Sequence, residues 1–200
     1  MKFSIRWTQP HRSNPKAKPN YRKFKPILQQ DFHQSCGYCG IHHVYFGSGS
    51  GFHIDHFAPK SKFDDIEHAY SNLVYSCPIC NIAKSNHWVG TLSVQRTLNG
   101  EGFVDPCDPE YDDHFYRDSA GKIRYEEDNS VAKYMHKKMK FSLKRHEIFW
   151  LAEYLFKLVN TLNEKLEELG DDHPFSGELK NLYEKSTKEM IKYQNFLREV

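Results

Sequence analysis

A chain of 200 residues, 38% hydrophobic, 14% aromatic and 27% charged, carries enough apolar side chain for one sizeable core, which excludes general disorder. No apolar run approaches the ~18 residues that span a bilayer, and the opening MKFSIRWTQPHR lacks the apolar stretch of a secretory signal, so a globular, cytoplasmic protein without membrane contact is expected. The net charge of +2 says little about partners, because charge is segregated along the chain.

Residues 1–30 hold eight Lys and Arg and no acid, and the stretch TQPHRSNPKAKPNYRKFKP at 8–26 includes four prolines. Few aliphatics among many prolines predict a basic, extended arm that wraps a surface or a ligand. Residues 31–90, dense in Cys, His and Asn, form the predicted core. Within it GSGSG at 47–51 reads as a hairpin tip, with a strand over 52–57 to follow.

Residues 91–130 form an acidic extension: 101–130 has ten Asp and Glu against three bases. Its aromatic and polar residues alternate around Ala120-Gly121, which predicts a β-hairpin. Residues 131–200 read as helical. Six bases and no acid occur between 131 and 146, a second basic stretch expected, like the arm, to meet a polyanion. Ile148, Leu151, Ala152, Leu155, Val159, Leu162 and Leu166 then recur at three- and four-residue steps up to Gly170, a natural helix stop. A second helix is predicted from about Gly177 to the C-terminus, burying Leu179, Leu182, Tyr183, Phe196 and Leu197.

The strongest motif is Cys36-Gly37-Tyr38-Cys39 paired with Cys77-Pro78-Ile79-Cys80. In a reducing compartment two CxxC knuckles supply four thiolates to tetrahedral Zn²⁺, leaving no open position, so this metal is expected to be structural. Cys107 is left over and receives no role. The 37-residue insert between the knuckles reads His53-Ile54-Asp55-His56-Phe57-Ala58-Pro59-Lys60 and later Asn72-Leu73, and the second knuckle continues Asn81-Ile82-Ala83-Lys84.

This order resembles the zinc-bearing HNH endonucleases: CxxC, then an acid and His before a Pro-containing loop, then Asn-Leu, then CxxC-Asn-x-x-Lys. The resemblance covers about 50 residues of the chain. It implies an α+β protein with a ββα-metal core, stapled by the four-cysteine zinc site and followed by the hairpin extension and C-terminal helices. It further implies hydrolysis of phosphodiester bonds in nucleic acid, DNA ahead of RNA. The chemistry of the residues agrees. Asp55 and the Asn81 amide are hard oxygen donors suited to Mg²⁺ or Mn²⁺, and His56 titrates near neutrality, as a general base must. Asn72 is expected to pin the loop that orients His56, while His53 shares the Asp55 face by strand alternation. Lys60 and Lys84 are expected at phosphate oxygens, and Arg12, Arg22, Lys23, Lys137, Lys138 and Arg145 on the nucleic-acid backbone.

A weaker resemblance lies outside the core. Phe103-Val104-Asp105-Pro106, His114-Phe115 and Gly121-Lys122-Ile123, followed by a helical tail, look like the HNH subunit of Septu-type and retron-associated anti-phage systems, which implies an ABC-type ATPase partner. Two rival readings differ in class. A non-catalytic zinc-knuckle module would bind nucleic acid without cutting it, and a RING-like interaction domain would need a second zinc site built from the surplus histidines.

Overall fold

The computed structural model describes residues 1–170 and 172–199. They divide into two compact units, 1–143 and 144–200, so the break falls beyond residue 131, where the helical region was expected to begin.

The N-terminal segment of the first unit is a strap laid on the core. β1 (Phe3–Ser4) pairs antiparallel with residues 116–117, and Ile5 and Arg6 are buried directly after it. A 3-10 turn at Tyr21–Phe24 leads into α1 (Lys25–Asp31), with Pro26 in its first turn, where a missing N–H costs nothing. Phe24 and Leu28 point inward. This corrects the arm expected over residues 1–30, whose end is helical and packed. Its bases also find acids far along the chain: Lys2 meets Glu126 and Arg6 meets Asp112 at 2.7 Å, and Arg12 meets Asp105 at 2.9 Å.

GSGSG is not a hairpin tip. Two successive 3-10 turns, His43–Phe46 and Ser48–Gly51, fold the chain back on itself so tightly that a Cβ on Gly51 would lie 1.6 Å from the Phe46 carbonyl oxygen. The strand that follows, β2 (His53–His56), pairs instead with the distant β3 (Leu73–Ser76), placing Asp55 opposite Val74 and His56 opposite Leu73. β3 is buried throughout, whereas β2 passes from exposed at His53 to buried at Asp55 and His56. α2 (Pro78–Lys84) starts one residue after β3, with Cys77 as its cap and proline at the first turn. The ββα unit is complete at residue 84.

The extension folds as two hairpins. β4 (Thr97–Leu98) and β5 (Glu101–Gly102) join through Asn99-Gly100, both at positive φ (52° and 79°), the conformation that favours this pair in two-residue turns. After α3 (Tyr111–His114), β6 (Phe115–Arg117) and β7 (Ile123–Tyr125) form the hairpin expected around Ala120-Gly121, and β1 extends it to a three-stranded sheet. α4 (Ser130–Lys138) is capped by Asn129, whose Oδ1 accepts from the Ala132 amide at 2.9 Å, and it buries Ala132 and Met135.

The second unit is a helical hairpin of α5 (Lys144–Leu169) and α6 (Ser176–Glu199), with Gly170 in the left-handed conformation ending α5. The α5 stripe is as predicted, with Ile148, Ala152, Val159 and Leu162 its most buried members. The α6 face is rotated from the expected one. Its inner stripe is Leu179, Tyr183, Ser186, Met190, Tyr193 and Leu197, while Leu182 and Phe196 lie off it, 46% and 39% exposed.

Candidate active site and zinc knuckle

The four cysteines Cys36, Cys39, Cys77 and Cys80 are buried, and their sulfurs lie within 4.8 Å of one another. Tetrahedral Zn–S bonds of about 2.3 Å require sulfurs about 3.8 Å apart, and Cys39 and Cys77 are separated by 3.8 Å. Burial pushes the Cys77 and Cys80 thiols well up. Cys36 is equally buried, yet hydrogen bonds from the other three cysteines hold it well below its ordinary range. Four thiolates cannot share so small a dry space without a cation, and the donor set fits zinc. It is the one such group of Cys, His, Asp and Glu among the described residues, so those residues offer no second zinc site of the RING kind.

Three successive knuckle carbonyls are capped by side chains from outside residues 36–90. Arg6 donates to the Gly37 oxygen at 2.9 Å, the Tyr111 hydroxyl to Tyr38 at 2.8 Å and Arg117 to Cys39 at 2.7 Å. Gly40, at φ 73°, allows the strap this close: a Cβ there would meet the Arg6 backbone at 2.9 Å. Arg117 is wholly buried and also donates to Gly121 at 2.7 Å and Ile5 at 3.3 Å. Arg117→Met keeps volume but leaves those carbonyls unpaired, each costing about 1–3 kcal/mol. We expect a loss of at least about 3 kcal/mol in urea unfolding, and a change below about 1 kcal/mol would refute this bracing role.

Neighbouring residues of β2 face opposite ways, so Asp55 and His56 serve different surroundings. The Tyr38 hydroxyl donates to Asp55 Oδ2 at 2.6 Å. Burial holds the Asp55 carboxyl above its ordinary range against the opposing pull of Lys84 and of the Tyr38 bond. Burial and the Asp55 charge in turn raise Tyr38 well above 10, keeping it a donor at neutral pH. Asn81 stands one turn before Lys84 on α2, half-buried, with no hydrogen-bond partner for its side chain among the described residues. The Asp55 carboxylate and the Asn81 amide oxygen, on adjoining elements, are the hard donors that suit a divalent cation keeping most of its waters.

His56 Nε2 lies 3.0 Å from the Glu67 carbonyl oxygen. A carbonyl only accepts, so Nε2 carries the proton and Nδ1 is left as the basic lone pair. Burial lowers the His56 pKa, Lys60 and Lys84 lower it further, and the Glu67 carbonyl opposes them. Asn72 grips the loop that follows: its Oδ1 accepts from the Ala58 amide at 2.8 Å and its Nδ2 donates to the Ala58 oxygen at 3.0 Å.

The expected cations separate. Lys60 stays at the surface, 2.9 Å from Glu67 and 3.2 Å from the Tyr21 hydroxyl, beside His56. Arg22 and Lys23 are exposed on the same side, next to Tyr21, whose ring meets His56 edge-on at 4.6 Å. Lys84 overturns its expected role. It is fully buried, with Nζ 3.4 Å from the His56 carbonyl and within 5.9 Å of the rings of Phe57, Trp88 and Phe103, so it braces β2 and reaches no surface ligand. Arg12 is likewise withdrawn, held by Asp105 and the Leu73 carbonyl. Lys137 and Lys138 lie on α4, Arg145 is exposed on α5 in the second unit, and His53 is exposed. Sequence reasoning missed Tyr38, Tyr21 and Glu67. An aromatic inside a CxxC knuckle was the available signal for Tyr38. A backbone acceptor such as that of Glu67 leaves none.

A short antiparallel pair, a helix entered from a cysteine cap and a closed thiol cluster that fits zinc define a ββα module. Residues 36–87 match the HNH endonuclease family model, and the chain therefore carries an HNH domain, of a class that is generally nuclease. No curated protein matches the chain. No helix among the described residues is long and apolar enough to cross a membrane.

Proposed function

We propose that this protein is a metal-dependent endonuclease that cuts phosphodiester bonds of DNA by general-base activation of water. The arrangement that carries the reading is His56, with Nε2–H tied to the Glu67 carbonyl and Nδ1 left basic, next in β2 to Asp55, whose carboxylate and the Asn81 amide on α2 are the oxygen donors. Nδ1 takes the proton of the attacking water, and Nε2–H, held by Glu67, fixes the ring while the imidazolium exists. The Tyr38 hydroxyl, donating to Oδ2, fixes the orientation of the Asp55 carboxylate. A bound Mg²⁺ or Mn²⁺ would neutralise charge on the phosphorane and the leaving oxygen. Lys60, Arg22 and Lys23 give this side the positive charge a phosphate chain needs. The resemblance of the 103–123 segment to Septu-type subunits supports action in bacterial anti-phage defence, beside an ABC-type ATPase. Plasmid DNA and structured RNA, each with Mg²⁺ or Mn²⁺ and with or without a candidate ABC-type ATPase partner, test the reading. Binding without cleavage under every condition would leave the non-catalytic module instead.

The base must be neutral to act, so a lowered His56 pKa places the acid limb of the rate profile below the ordinary 6.5 of histidine. Removing the Lys60 charge withdraws one of the influences that lower it. The limb of Lys60→Gln should therefore move to higher pH in kcat/KM measured across about pH 5–8. A shift the other way would show that Lys60 does not act on the base electrostatically.

A further inference from the structure

An open groove of about 880 Å³ lies between the end of α2 and the side of α4, within the first unit. Lys133, Lys137, Lys138 and Lys140 line it, and its one acid is Glu101. Among the described residues none of these lysines is paired with a carboxylate, and Lys138 instead lies over the Tyr134 ring at 5.4 Å. Lys133 and Lys137 are four residues apart on one helix, where like charges repel. The α4 dipole favours cations in its last turn, which accounts for Lys137 and Lys138 but not for Lys133. His87, also on the wall, is held below its ordinary pKa by burial and then by Lys138, Lys84 and Lys62, with no carboxylate opposing them. The potential here is positive and uncompensated.

The groove is built rather than left over. The Asn99-Gly100 turn closes one end against the first turn of α4, so closely that a Cβ on Gly100 would meet Ser130 Oγ at 2.7 Å. At the other end stands Ser85, which caps α2 with φ at 46°. Ser85 is one helical turn, about 6 Å, beyond Asn81. Ile82, 72% exposed beside it, offers the apolar surface that a sugar face covers.

We propose that this groove is a track for the sugar-phosphate backbone of the bound nucleic acid, entered one turn from Asn81, with its basic wall on and just after α4, outside the HNH domain. It rests on the nuclease reading and names where the substrate runs. Because the track lies away from the reacting phosphate, it supports ground state and transition state alike and shows in KM rather than kcat.

The test uses the full chain carrying His56→Ala to prevent cutting, with a fluorescein-labelled DNA duplex titrated by anisotropy at several salt concentrations. Lys133→Gln, Lys137→Gln and Lys138→Gln together should reduce the slope of log affinity against log salt by about 2–3, since each B-DNA phosphate that the protein no longer neutralises lowers it by about 0.9. In the His56-containing chain the same triple variant should raise KM about tenfold or more with kcat within about twofold, as the removal of uniform binding requires. An unchanged slope overturns the proposal. So does an equal reduction from three exposed lysines elsewhere, Lys122→Gln, Lys185→Gln and Lys188→Gln. If the wild-type chain cuts the duplex while the groove variant keeps its slope and KM, the track alone fails. A wild-type chain that neither binds nor cuts it removes the nuclease reading as well.

Discussion

Replacing His56 with alanine should lower the rate of DNA cleavage by at least about 10²–10⁴-fold while leaving zinc content and melting temperature close to wild type. The magnitude follows from the loss of the group proposed to take the proton of water. The spared fold follows from how His56 is held: its ring contributes one hydrogen bond, to the Glu67 carbonyl, and one edge contact to Tyr21. Asp55→Asn should retain the Tyr38 hydrogen bond in part but weaken dependence on Mg²⁺ or Mn²⁺, and Asn81→Ala should do the same without disturbing a hydrogen bond. Asn72→Ala belongs to another class. It breaks the two bonds on Ala58, so activity and stability should fall together, stability by about 1–3 kcal/mol. A His56→Ala protein that cuts at the wild-type rate would remove His56 as the base.

The parts of this site that sequence revealed are those set by local spacing. CxxC pairs, Asp55-His56 in a strand and Asn81 after the second knuckle each occupy one short element, so residue order already determines which groups stand together. The parts it concealed depend on partners far along the chain. The basic start and the acidic 101–130 stretch read as separate charge runs, one of them ready for phosphate. In the fold they meet, because Arg12 and Asp105, 93 residues apart, end 2.9 Å from each other. Lys84 looked like a surface lysine because sequence does not show that Phe57, Trp88 and Phe103 close around it. The glycines of 47–51 signalled a turn but not its kind, since Gly47 at positive φ and Gly51 packed on the Phe46 carbonyl serve a 3-10 reversal with the same residue that a hairpin tip would use. On α6 the apolar residues outnumber those that fit one face, so composition left the rotation of the helix open and packing against α5 chose it.

Zinc removal should abolish the first unit's fold. Elemental analysis should find one zinc per chain, and Cys77→Ser, or a strong chelator, should release it together with the tertiary signal in near-ultraviolet circular dichroism. The ββα unit has two four-residue strands and a seven-residue helix. A lone two-stranded pair of that size is marginal in water. Zinc held by a structural thiolate site contributes about 10–16 kcal/mol, as much as the whole stability of a typical domain. The buried surroundings are also arranged for an occupied knuckle. Zn²⁺ with four thiolates carries two negative charges, and the Arg6 and Arg117 guanidiniums are buried against the carbonyls of Gly37 and Cys39. Burial lowers the Arg117 pKa to about 10, and the charges of Cys39 and Cys80 act in the opposite direction. Without the metal, the buried Arg117 cation faces a cluster whose charge is no longer fixed, while Arg6 keeps Asp112. Cys107 supplies the control: it lies outside the cluster, with no other cysteine, histidine or carboxylate grouped with it to complete a metal site among the described residues. Cys107→Ser should keep zinc, fold and cleavage. Folded, active protein that contains no zinc, or a Cys77→Ser variant as stable as wild type, would show that the thiols pack as an ordinary core.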